Sequence, residues 1–136
     1  MQSETGEKLS HLEGRRPALD PSNGFLYVTN TWSNTVSVID GVNDTVIATI
    51  PVDSNPYGIA YDSLNGDMYV GNWRCYPTPW TPCNFQWNYS TVSVIDTLTN
   101  RVIDTIQGMD FPGEIVFDAS NGPVRAFHRL EQASCD

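Results

Sequence analysis

One element recurs along this chain and constrains its fold before composition is considered. Asp20-Pro21-Ser22-Asn23-Gly24 returns as Asp62-Ser63-Leu64-Asn65-Gly66 and again as Asp118-Ala119-Ser120-Asn121-Gly122. Tyr27-Val28-Thr29-Asn30 returns as Tyr69-Val70-Gly71-Asn72, and Thr35-Val36-Ser37-Val38-Ile39-Asp40 returns unchanged from Thr91 to Asp96. Of the sixteen positions 35–50, ten are identical in 91–106. The spacing is 42 residues from Asp20 to Asp62 and 56 from Asp62 to Asp118, the extra 14 being an insertion between Asn72 and Ser90. Units of this size cannot bury their apolar faces alone and must stack on one another.

Each unit reads as four short strands. In the second, Gly58–Tyr61, Asp67–Val70, Thr91–Ile95 and Arg101–Ile106 are rich in Val, Ile, Thr and Tyr, with Asn, Gly and Asp between them. Asn-Gly favours a hairpin because both residues tolerate positive φ. Four strands in 42 residues is the size of a propeller blade. The expected fold is therefore all-β: two four-stranded antiparallel blades of a partial β-propeller, plus the first strand of a third. The expected boundaries are blade 1 at 17–55, blade 2 at 56–110 with the insertion at 73–89, and the start of blade 3 at 111–122.

Charge marks the same limits. Between Pro17 and Gly122 there are eleven acids against Arg74 and Arg101, so this span carries the whole net charge of −9. The flanks 1–16 and 123–136 balance at five acids and five bases and hold both His. The first is expected to be disordered and the second departs from the repeat. An acidic core lacks the Lys and Arg that nucleic-acid binding needs. No apolar run approaches the roughly 20 residues of a membrane span, and the first twenty residues contain no signal-peptide apolar region.

Tyr27-Val28-Thr29-Asn30, with Asn34-Thr35-Val36-Ser37-Val38-Ile39-Asp40 and the Pro-Tyr-Gly-Ile-Ala run at Pro56–Ala60, resembles the YVTN family of β-propeller repeats over residues 17–122. That family occurs in archaeal surface-layer-type proteins and some exported bacterial proteins. The resemblance implies a propeller in an extracellular or cell-surface setting, and no particular reaction. Complete propellers have 4–8 blades; the two units here look like a piece of a longer one. The expected partners are further blades or self-association, and cell-surface glycans or proteins.

Candidate sites are few. The repeated D-x-x-N-G could supply calcium oxygens, but its recurrence in every unit points to the turn itself, with Asp capping turn amides. The insertion 73–89 gathers Trp73, Tyr76, Trp80, Phe85 and Trp87, candidates for stacking on sugar rings, although such a loop also needs aromatics to pack on itself. It also holds Cys75 and Cys83, close enough in sequence for a disulfide if the protein is exported. Asn43-Asp44-Thr45 and Asn88-Tyr89-Ser90 are candidate glycosylation sequences. No zinc spacing or cofactor motif appears, and neither His falls in the repeats, so no catalytic, metal or cofactor residue is assigned.

The favoured expectation is a non-catalytic scaffold. One rival is a fragment of a propeller enzyme, of the lyase or haem- or quinone-dependent type, whose active residues lie in other blades. Such an enzyme would place His, Arg or Lys on the innermost strands, here Pro17–Asp20, Tyr57–Tyr61 and Glu114–Phe117. A further rival is a truncated or frame-shifted piece without a function of its own.

Overall fold

A computed structural model describes residues 17–73, 90–109, 114–117 and 124–127. Its strands are β1 (Pro17–Asp20), β2 (Phe25–Asn30), β3 (Thr35–Asp40), β4 (Thr45–Pro51), β5 (Pro56–Asp62), β6 (Asp67–Asn72), β7 (Ser90–Asp96), β8 (Arg101–Met109), β9 (Glu114–Phe117) and β10 (Val124–Phe127). They form antiparallel sheets in the orders β1-β2-β3-β4 and β5-β6-β7-β8, and a two-stranded sheet of β9 and β10. The first strands are neighbours, β1 beside β5 and β5 beside β9. Successive sheets therefore fan from a common line of inner strands, which is the arrangement of a partial β-propeller.

The third unit holds one strand more than the repeat predicts. Its first strand, β9, is in place, but Val124–Phe127 also pairs with Glu114–Phe117 across four residues, although it lies where the sequence leaves the repeat. Ladder bonds join main-chain groups, so extended backbone after an Asn-Gly suffices without the consensus side chains.

The turns share one construction. The four-residue loops 21–24, 31–34, 41–44, 63–66 and 97–100 each place their last residue in the left-handed region: Gly24 (φ 77), Asn34 (58), Asp44 (53), Gly66 (80) and Asn100 (55). These are the residue types that adopt this conformation at least cost. Ahead of four of these loops, an aspartate Oδ1 accepts the amide two residues on. The pairs are Asp20 with Ser22, Asp40 with Val42 and Asp62 with Leu64, each 2.9 Å, and Asp96 with Leu98, 3.0 Å. The repeated aspartate is thus a turn cap.

Packing follows strand alternation. Tyr27, Val36, Val38 and Ile50 of the first blade meet Met68, Val70 and Ile95 of the second in one cluster, every member no more than 4% exposed. The opposite face of the second blade seats Ala60 and Val92 against Ile115 of the third unit. Each blade therefore has a leading face toward the preceding sheet and a trailing face toward the next. A bulge recurs in both blades: the register shifts between Val38 and Ile39 and between Val94 and Ile95, leaving Ile47 and Ile103 without partners across the ladder.

Three substitutions test this account by urea unfolding. Met68→Ala, at a fully buried blade–blade contact, should lower stability by about 2–5 kcal/mol. Gly66→Ala should lose about 1–2 kcal/mol to left-handed strain alone, since a Cβ there would meet open space. Val42→Ala, 90% exposed, should change stability by less than about 0.5 kcal/mol.

Candidate functional site

The most developed polar constellation lies where the first blade hands over to the second. Asn72 and Thr91 pair across β6 and β7, with Ser93 two residues along. Asn72 Nδ2 donates to Thr91 Oγ1 (3.2 Å) and Ser93 Oγ (2.9 Å), and Thr91 Oγ1 donates to Asp53 Oδ2 (2.8 Å) in the loop between β4 and β5. All three cluster residues are buried, at 0%, 5% and 1% exposure. Burial removes their water, so each contact replaces a hydration bond that leaving the group unpaired would forfeit. The start of β5 is fastened beside this loop by Thr29 Oγ1, which donates to the Tyr57 carbonyl (3.0 Å), and Thr31 Oγ1, which donates to the Pro56 carbonyl (2.7 Å). These groups are neutral amides and hydroxyls plus one carboxylate already engaged in bonding. Their chemistry is that of a joint.

A second cluster lies at the opposite ends of these strands. Tyr27 Oη donates to Asn100 Oδ1 across the blades (2.7 Å), and Thr97 Oγ1 donates to the Gly66 carbonyl (2.7 Å). Burial pushes the Asp20 carboxyl up, but hydrogen bonds from the Ser22 side chain and amide, with the nearby Thr97 and Tyr61 hydroxyls, outweigh it and hold it below the usual value. Asp67 goes the other way: burial raises it, as do the charges of Asp96 and Asp62, its partners on both flanking strands. Among the described residues no group of three or more His, Cys, Asp or Glu is placed to hold a metal ion.

The innermost strands, Pro17–Asp20, Pro56–Asp62 and Glu114–Phe117, contain no His, Lys or Arg. Their carboxylates are Asp20 and Asp62, both buried in turn caps, and the half-buried Glu114.

Of the residues singled out in the sequence, Trp73 and Asn43 fall within the described residues. Cys75, Tyr76, Trp80, Cys83, Phe85, Trp87 and Asn88 lie outside them. Trp73 is half-buried and stacks on Tyr57 with centroids 5.6 Å apart and planes at 24°. Its backbone is clamped by Asn55, whose carbonyl accepts the Trp73 amide (3.1 Å) and whose Nδ2 donates to the Trp73 carbonyl (3.0 Å). One ring face is therefore given over to internal packing. Asn43 is exposed in its turn, with Nδ2 donating to Asp40 Oδ2 (2.9 Å). Sequence reasoning missed Asp53, Asn55 and Tyr57. The available signal was their place just before and within Pro56-Tyr57-Gly58, where the chain crosses between blades.

No family model matches the chain. A stretch of 49 residues is 47% identical to the PE-PGRS family protein PE_PGRS18 of Mycobacterium tuberculosis (strain ATCC 25618 / H37Rv), covering 36% of this chain and 10% of that protein. Among solved structures, hydrazine synthase of Kuenenia stuttgartiensis is similar with a TM-score of 0.63 and 29% identity, over 78% of this chain and 27% of that one. The chain thus spans a tenth and about a quarter of the lengths of these two proteins.

The aspartate cluster gives opposite pH signatures. Asp20, with its depressed folded value, adds stability that is present above its unfolded value near 4 and is lost as pH falls through the folded one. Asp67, with a raised folded value, subtracts stability as pH rises past its unfolded value. Asp67→Asn should therefore raise stability at pH 7 by roughly 0.2–1 kcal/mol, the scale of cross-strand charge pairs. The gain should vanish near pH 3, as read by thermal melts at the two pH values.

Proposed function

We propose that this chain is a segment of a YVTN-type β-propeller that serves, outside the cell or at its surface, as a structural or adhesive scaffold without catalysis. The observation that carries this reading is where the chemically capable side chains are spent. The repeated aspartates cap turns, and the Asn72–Thr91–Ser93–Asp53 group fastens one blade to the next. The innermost strands, where a propeller enzyme keeps its reacting groups, carry no His, Lys or Arg. The extracellular setting rests on the YVTN resemblance of Tyr27–Asn30 and Asn34–Asp40. Its partners are further blades or other copies, with surface glycans or proteins met through the insertion 73–89.

The likeness to hydrazine synthase favours a second reading, a part of a propeller enzyme whose reacting groups lie in other blades. Titration of the chain with haemin, and separately with a soluble quinone, tests whether this chain itself holds such a cofactor. The scaffold reading expects no change in the cofactor's absorption spectrum. A saturable, stoichiometric change would overturn it.

Two outcomes follow for the insertion. Protein made under oxidising conditions should resist alkylation at Cys75 and Cys83 until reduced. That disulfide would close a loop short enough to add roughly 2–3 kcal/mol, and two alkylated thiols before reduction would remove it. A glycan that stacks on Trp80 or Trp87 should shift the tryptophan fluorescence in a saturable way. Indifference to a panel of glycans would leave self-packing as the role of these rings.

A further inference from the structure

The leading faces of the two blades are built alike and are covered differently. In the second blade, Tyr61, Met68, Ile95 and Val102 form one cross-strand row; the matching row of the first blade is Leu19, Leu26, Ile39 and Val46. Met68 and Ile95 are fully buried and Val102 is 36% exposed, because the trailing face of the first blade sits on them. In the first blade Leu26 and Ile39 are half-buried, and Leu19 and Val46 are 55% and 60% exposed. The polar part of the face is duplicated too. Asn30 Nδ2 donates to Thr35 Oγ1 (3.1 Å) and Ser37 Oγ (2.8 Å), the same two bonds that Asn72 makes to Thr91 and Ser93. In the second blade Thr91 then donates to the Asp53 carboxylate. In the first, Thr35 Oγ1 has the hydroxyl of exposed Ser33 at 3.0 Å.

We infer that the leading face of the first blade is a docking surface for another blade of this same repeat type, one that brings an apolar trailing stripe like Tyr27, Val36, Val38 and Ile50 and a linker aspartate for Thr35. The molecule contains its own example of the complex, since such a stripe and such an aspartate already sit on the equivalent face one repeat later in the chain. Asn30, Thr35 and Ser37 stand preassembled as neutral hydrogen-bonding groups, and a carboxylate accepts the one hydroxyl proton that Thr35 has to give. A charged acceptor in a closing apolar interface makes the stronger kind of hydrogen bond. This deepens the scaffold reading and rests on it for the role of the face. The test below reads docking, so a cofactor titration could overturn the scaffold role and leave the docking result standing.

The experiment places a duplicate of residues 17–58 directly before Pro17 in the full chain, which preserves the repeat spacing. Docking of the added blade should raise the midpoint of thermal unfolding by about 5 °C or more. Thr35→Val gives up the contacts to Asn30 and Ser33 in the original chain and should lower the midpoint further in the extended chain, where it also gives up the aspartate. Replacing the added blade's copy of Asp53 by Asn should abolish that difference, because the two groups would act as one bonded pair. Equal midpoints for the original and extended chains would overturn the proposal, as would equal effects of Thr35→Val in both.

Discussion

Everything in this molecule depends on a sheet that is apolar on both faces. Val36 and Val38 point toward the second blade while Leu26, Val28 and Ile39 point away from it, so no single blade can hide both sets. A hairpin sheet can leave one face in water. A sheet with two apolar faces needs a neighbour on each side, and the Tyr27–Val36–Val38 contact with Met68–Val70–Ile95 is the case where both sides of the bargain are present. The turns, caps and interblade bonds all serve to hold these two sheets at the spacing that contact requires.

The same demand explains the chain's acidity. The blades can bury little charge, so much of it collects at strand ends, where a carboxylate caps a turn amide. Asp40 and Asp96 do this at half-exposed positions. Asp20 and Asp62 do it in the interior, where the turn amide must compensate for lost water. Asp67 is the place where the scheme strains, because Phe25, its counterpart in the first blade, is apolar and packs against the core, whereas Asp67 faces two further carboxylates.

Most of the fold was legible because repetition amplifies weak signals. Four strands per unit, the Asn-Gly turns and the capping role of the aspartates were all carried by residues that occur at least twice. What occurs once was hard to read. The role of Asp53 depends on Thr91, 38 residues away and on the next blade, and no local pattern announces it. The pairing of Tyr57 with Trp73 brings together the start of one strand and the end of its neighbour. Strand β10 forms by main-chain bonding where the side chains had stopped following the repeat. The recurrent bulge left no mark either, since Thr45-Val46-Ile47-Ala48 reads as unbroken strand whether or not one residue is extra.

That bulge bears on how such sheets meet strangers. The outermost strands, β4 and β8, carry exposed Val46, Ile47, Val102 and Ile103, and a flat outer strand of that composition would be a ready template for edge-to-edge growth into fibrils. One surplus residue per strand breaks the even run of main-chain donors and acceptors and coils the rim away from a straight partner. Encounters along the rim are thereby made short and mismatched, and the broad faces are left as the surfaces on which lasting assembly can be built.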